Sequence, residues 1–213
     1  MDKMLQKLEE IAAANTAGMA AEKRAGKPLV VYCSSFIPAE LIRASGANTY
    51  LLCRGGDAAP ANAALEYTLE CINPLARASA GYLINGLDDL ASMADLVVTA
   101  NSDSHMCRMS ELLEHNGIQV FKIGIPLDWQ EKSSFDYYLD SLHNLLRTVE
   151  HMTGHPVDMS LAREHFALSN RVKACMARVN ELRRGDSIPI GIESVMRLHA
   201  IAPLLIVTFQ GEE

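Results

Sequence analysis

Three short stretches of this 213-residue chain put chemically capable side chains next to one another. The first is Cys33-Ser34-Ser35. The second is Cys71-Ile72-Asn73, with Arg77 further along. The third is Asn101-Ser102-Asp103, with His105 close behind. A thiolate is a soft metal ligand or nucleophile, a serine hydroxyl donates or accepts hydrogen bonds, and a carboxylate accepts them or takes up a proton. Brought together, the stretches would make a pocket with a soft ligand, hydroxyl donors and a carboxylate.

Each of these residues also has a plainer explanation. Cys33 and Cys53 suit strand ends as small apolar side chains, and Cys107 and Cys175 suit helix interiors. Ser34, Ser35, Ser102 and Asp103 suit caps and turns. Glu40 and Arg43 suit a solvated helix face or an intrahelical ion pair, and His105 a solvated helix face. No short motif of the Ser–His–Asp or Cys–His type supports ordinary hydrolase chemistry, although such a triad is defined in space rather than in sequence. A complete Gly-x-Gly-x-x-Gly or a Gly-Lys-Ser/Thr motif is also absent, so nucleotide binding does not follow from the organisation described next.

The elements that must position these residues are readable from hydrophobic pattern and punctuation. Met4, Leu5, Leu8, Ile11 and Ala12 recur at helical spacing and predict an opening helix that ends at Gly26-Lys27-Pro28. Residues 29–33, 48–53, 95–101 and 118–123 are short continuous apolar runs, the pattern of strands buried on both faces. Between them lie a short helix opened by Pro38 and closed near Gly46, an alanine-rich helix from residue 60, and a helix started by Pro74. A further helix, capped within residues 102–104, runs through Met109, Leu112 and Leu113. This rhythm predicts an α/β fold with a Rossmann-like parallel sheet and helical cover.

From Ser133 the rhythm becomes helical. Phe135, Leu139, Leu142, Leu145, Leu146 and Val149 share one face up to Gly154, and Asp158 caps a second long helix. The two helices either pair antiparallel or pack back on the sheet. The apolar run 203–209 is expected as a terminal strand or a short apolar helix. Residues 1–130 therefore read as a Rossmann-like α/β domain with an N-terminal helix, and 131–213 as a mainly helical region.

Composition narrows the function classes. The net charge is −7, from 19 Lys+Arg against 26 Asp+Glu, and without a basic cluster a nucleic-acid partner is not expected. No apolar run approaches the roughly 18 residues of a membrane span, so no membrane association and a cytoplasmic location are expected. Five widely spaced cysteines without a CxxC pair do not make a disulfide set or a self-contained zinc site.

Val31-Tyr32-Cys33-Ser34-Ser35-Phe36-Ile37-Pro38-Ala39-Glu40-Leu41-Ile42-Arg43-Ala44-Ser45-Gly46 resembles the opening motif of the 2-hydroxyacyl-CoA dehydratase component D and benzoyl-CoA reductase family. Members commonly carry Ser, an aromatic, an aliphatic, Pro, any residue, Glu, Leu or Ile and Ile, followed by an Ala-x-Gly turn. Residues 71–81 are similar to the family's cysteine segment with its following Arg and Gly. Residues 97–103 are similar to a strand ending in a Cys-Asp pair, with Ser102 at the cysteine's place. Ile190-Gly191-Ile192-Glu193 is similar to a later Ser-Gly-x-Glu segment, with Ile190 at the serine's place. The resemblance implies only the N-terminal half of a family subunit, and hence a shortened chain.

What the resemblance implies about chemistry is a 4Fe–4S cluster, with Cys71 as the matched ligand and Arg77, Ser102 and Asp103 around the cofactor. Ser35 is implied as a pocket serine near the open cluster or substrate, and Glu40 as part of the catalytic network. The implied partners are a second dehydratase-like component, an activating ATPase that supplies an electron for a ketyl-radical route, and an acyl-CoA thioester. A homo- or hetero-oligomer is expected. Serine does not replace a thiolate on soft iron. The expected function is therefore a shortened dehydratase-like component acting with a partner in acyl-CoA dehydration or reduction. The alternatives are a catalytically inactive structural or regulatory homologue and a metal-free CoA or anion-binding protein.

Overall fold

Val30 and Val31 are consecutive, project to opposite sides of their strand, and are both fully buried. That is possible only if both faces of the strand are covered. The computed structural model describes residues 2–55, 57–184 and 189–206, and it shows how the cover is built. Strands β1 (Leu29–Tyr32), β2 (Asn48–Leu51), β3 (Leu96–Asn101) and β4 (Val120–Gly124) form one sheet in the order β2-β1-β3-β4, with every pair parallel. Leu29, Val31, Cys33 and Val97 face one apolar cluster, and Val30, Tyr32, Val98 and Ala100 face the other.

Helices cover each face. On the first lie α1 (Asp2–Arg24), α4 (Pro74–Ile84) and α5 (Ser104–His115), which contribute Met19, Ala76, Ala78, Ala80, Met109 and Leu113. On the second lie α2 (Ala39–Ala44) and α6 (Lys132–Thr153), which contribute Ile42, Leu145 and Val149. The short α3 (Ala58–Ala63) crosses α4 where Gly81 lets the Pro60 carbonyl come close. The Rossmann-like parallel sheet with helical cover is thus the architecture that the apolar runs predict.

The two long helices resolve the choice left open by periodicity. α6 packs against the sheet and ends at Gly154, whose φ of 75° makes a left-handed cap. α7 (Met159–Glu181) is capped by Asp158, which accepts from the Ser160 and Leu161 N–H groups, and it packs against α2. The Asp158 N–H donates to the Ala44 carbonyl at 3.0 Å, tying the two helices where they meet. α8 (Ile192–Leu205) lies on α1, joined by Arg197 donating twice to the Glu9 carboxylate. Pro203, Leu204 and Leu205 of the expected terminal strand or helix belong to α8, where Ala202 beside them is buried. Residues 207–209 of that run lie outside the described residues.

His165 sits at the α7–α2 contact, nearly buried, with Nδ1 3.3 Å from the Glu40 carbonyl oxygen. A carbonyl only accepts, so the neutral ring carries its proton on Nδ1. Burial lowers the ring's pKa, the Glu40 carbonyl opposes that effect, and the neighbouring Arg43 charge adds to it, for a net value below the ordinary 6.5. The unfolded chain therefore binds the proton first as pH falls.

Two predictions follow from this packing. Gly81→Ala drives a Cβ into the Pro60 carbonyl and is expected to cost about 1–3 kcal/mol. Gly18→Ala, in α1 with open space around it, is expected to gain about 1 kcal/mol. Urea unfolding of both variants checks this, and a change of the same sign in the two would refute the account of the crossing. Separately, stability should fall as pH drops from about 6.5 in part because of His165, and His165→Asn should flatten that fall. Unfolding curves of variant and parent between about pH 7 and 5 measure the difference.

Candidate functional site

The chain leaves β1 to one side to build β2, then crosses back over β1 to build β3. The loops after β1 and β3 consequently diverge and leave a crevice at the carboxyl edge of the sheet. Cys33 to Ser35 follow β1, and Ser102 and Asp103 follow β3. Cys33 is still part of the ladder, its N–H donating to the Val98 carbonyl at 3.1 Å. Burial, assisted by Cys53 on the neighbouring strand end, pushes its thiol up to about 12. Ser34 Oγ accepts from the Phe36 N–H at 3.3 Å, while Ser35 is exposed.

Asp103 is the N-cap of α5, accepting from the His105 and Met106 N–H groups at 2.9 and 3.1 Å. Ser102 Oγ donates to its other carboxylate oxygen at 3.0 Å. Burial acts to raise the Asp103 carboxyl, but the Met106 N–H, the Ser102 hydroxyl and the His105 N–H together hold it below its usual value. His105 is half-buried, and its Nδ1 accepts from the Asn73 N–H at 3.4 Å, which draws the Cys71 break against the start of α5. Cys71 itself is exposed. Arg77 Nη1 donates to the Glu70 carbonyl at 2.8 Å, so this side chain braces the cysteine turn.

Ser35 and Glu40 belong to a different surface. They line a cavity of about 400 Å³ with Phe36 and Arg43 from the β1–α2 region, Tyr138 from α6, and Ser169 and Lys173 from α7. Tyr138 donates to the Phe36 carbonyl at 2.6 Å and pins the serine loop to α6. Glu40 is 8% exposed and lines this space. Burial pushes the Tyr32 hydroxyl at the cavity's floor up to about 12, with the Arg43 charge opposing and the Glu40 charge adding. Cys71, Arg77, Ser102 and Asp103 do not line this cavity. They gather where α4 meets α5, on the other face of the sheet. Tyr138, Ser169 and Lys173 were invisible as site residues in the sequence. They come from helices remote in the chain, and only their apolar neighbours carried a pattern.

A parallel sheet covered by helices on both faces, with loop serines at its switch-point crevice, defines an α/β protein of Rossmann-like build. The chain matches the family model for 2-hydroxyglutaryl-CoA dehydratase, D-component, over residues 34–206, and it belongs to that family. No curated protein matches it. The match begins at the first loop serine and runs through α6, α7 and α8. This corrects the expectation that the likeness is confined to an N-terminal half, because the helical region is matched along with the sheet. A general role as a dehydratase-type component follows at the level of the family, as does membership of a multi-component system. Among the described residues no helix is long and apolar enough to cross a membrane.

The donor set does not fit the iron–sulfur cluster that the resemblance implies. Cys71 offers a thiol, but Ser102 offers a hydroxyl already donated to Asp103, and Cys33 is held protonated by burial. Alkylation of the native chain at mildly alkaline pH should therefore modify the exposed Cys53, Cys71 and Cys175 well before Cys33, which should react only on unfolding. Peptide mass mapping over time checks the order, and early modification of Cys33 would contradict the packing described at the end of β1.

Proposed function

We propose that this chain is a component of a 2-hydroxyacyl-CoA dehydratase-type system that binds an acyl-CoA thioester at its carboxyl-edge crevice and has no independent catalysis. A second dehydratase-like component, served by an activating ATPase, would supply the reducing centre. The observation that carries the reading is Ser102. Within a family match spanning the crevice, it puts a hydroxyl donated to the Asp103 carboxylate where the resemblance calls for a thiolate.

The residues present suit binding and proton handling. Dehydration of a 2-hydroxyacyl thioester removes the 2-hydroxyl and a 3-proton as water. Ser35, exposed at the cavity mouth, offers a hydroxyl to the thioester carbonyl, and Glu40 offers a carboxylate to the proton. Cys71, braced through Arg77 and lying by Ser102 and Asp103, forms the surface that would face the partner's reducing centre.

Anaerobic purification followed by iron and acid-labile sulfide analysis tests the division of labour. The isolated chain should retain far less than the roughly four irons per chain of a complete cluster. It should not dehydrate a 2-hydroxyacyl-CoA without the second component, the ATPase and ATP. In the complete mixture Ser35→Ala and Glu40→Gln should each lower the rate by about a hundredfold or more. A stoichiometric cluster in the isolated chain, or turnover by it alone, would refute the reading.

A further inference from the structure

Residues 34–36 join two points that are held by other means. Before them Cys33 is still in the ladder, and after them Ile37 is buried in the core under α2 and α6. The bonds inside the loop are local: the Phe36 N–H donates to Ser34 Oγ at 3.3 Å, and the Ile37 N–H to the Ser34 carbonyl at 3.3 Å. Bonds of this kind shape a turn but leave its tilt against the sheet undetermined. Pro38, at the N-cap of α2, has no N–H to donate and supplies no side-chain cap. Ser35 itself is exposed and makes no hydrogen bond among the described residues.

Among the described residues, one hydrogen bond from a remote segment reaches residues 34–37. Tyr138, 102 positions beyond Phe36, donates to the Phe36 carbonyl at 2.6 Å. The helix that carries it is seated on a different strand. Tyr137 lies over Gly124 of β4, where an added Cβ would collide with its ring and hydroxyl. The first turns of α6 therefore rest on the end of β4 and reach to the loop after β1. In Tyr138 the ring and the hydroxyl have separate tasks. The ring packs on the same core as Ile37, while the hydroxyl orients the peptide that follows Phe36. Partial burial raises the pKa of that hydroxyl, so it stays protonated and able to donate through neutral pH.

We infer that Tyr138 is a positioning residue: through the Phe36 carbonyl its hydroxyl holds the loop after β1 in the place from which Ser35 meets the thioester carbonyl. This role presupposes the acyl-CoA reading of Ser35 proposed above and gives that serine its support on α6. A donor that must meet an oxygen as charge develops there is sensitive to misplacement, and a shift of about 1 Å removes much of its effect. Loss should therefore fall on the chemical step more than on binding.

Tyr138→Phe removes the hydroxyl and keeps the ring, and Tyr137→Phe is its control on the same helix. In the full chain without substrate, amide hydrogen exchange at residues 34–37 should quicken about fivefold in Tyr138→Phe, with exchange at Val97 and Val98 unchanged. Tyr137→Phe should leave residues 34–37 as they are. In the complete mixture with 2-hydroxyglutaryl-CoA, Tyr138→Phe should lower kcat about fivefold and change KM less than about twofold. Combined with Ser35→Ala it should add less than about twofold to the loss from Ser35→Ala alone, because it acts through that serine. Unchanged exchange at residues 34–37 would overturn the inference, as would an equal loss from Tyr138→Phe with and without Ser35. A normal rate in Ser35→Ala would instead overturn the reading of Ser35, and the role of Tyr138 with it.

Discussion

Burial of β1 and β3 on both faces is the constraint from which the site follows. A strand that is apolar on both sides excludes polar side chains along its length, so the reactive residues fall where the strand ends. Cys33 marks the transition: still in the ladder and still buried, it behaves as core. Ser34 and Ser35, immediately after it, are the first residues free to meet solvent or ligand. The same holds at the end of β3, where fully buried Ala100 gives way to Ser102 and Asp103. Covering both faces requires helices to alternate sides, and that alternation opens the crevice between the two loops.

The crevice has two unlike banks because the helices on the two faces have different work to do. On the α4–α5 bank several polar groups satisfy one another, but Arg77 Nε and Asn101 Oδ1 are buried without a hydrogen-bond partner among the described residues. Asp103 spends one carboxylate oxygen on the first turn of α5 and the other on Ser102, and Arg77 closes the Cys71 turn. On the α2–α7 bank Glu40 is nearly buried, and Arg43 Nε and Nη2 have no hydrogen-bond partner among the described residues. Saturated hydrogen bonding stabilises a turn, whereas unsatisfied buried groups are costly and usually have a reason to persist. Both banks carry such groups, Arg77 Nε and Asn101 Oδ1 on one and Arg43 Nε and Nη2 on the other.

Much of this was legible in the sequence, in the places where local chemistry decides. Asp103 and Asp158 cap helices as read, Pro74 opens one, Gly154 closes another, and the four apolar runs became the four strands. What escaped depends on contacts between remote segments. Arg43 read as a surface partner of Glu40 because helical spacing says nothing about Thr49 or α7 beneath it. His105 read as solvated, yet the Asn73 N–H turns it into a bridge between two loops. Lys173 and Ser169 gain meaning only because α7 packs on α2, a choice that periodicity leaves open.

The contrast between Ser102 and Arg43 separates scaffold from chemistry. Replacing a soft thiolate by a hydroxyl removes a metal donor without disturbing the fold, because the serine donates to Asp103 and that carboxylate still caps α5. The capping geometry is therefore indifferent to whether a cluster is held. Arg43 is a different case: its Nη1 donates to Thr49 Oγ1, while its Nε and Nη2 are buried without a hydrogen-bond partner among the described residues. A hydroxyl and a thiol at position 102 thus suit the same backbone, one as a hydrogen-bond donor and the other as a soft ligand. The parallel sheet serves both ends equally, since it fixes only where the loops emerge and not which atoms they carry.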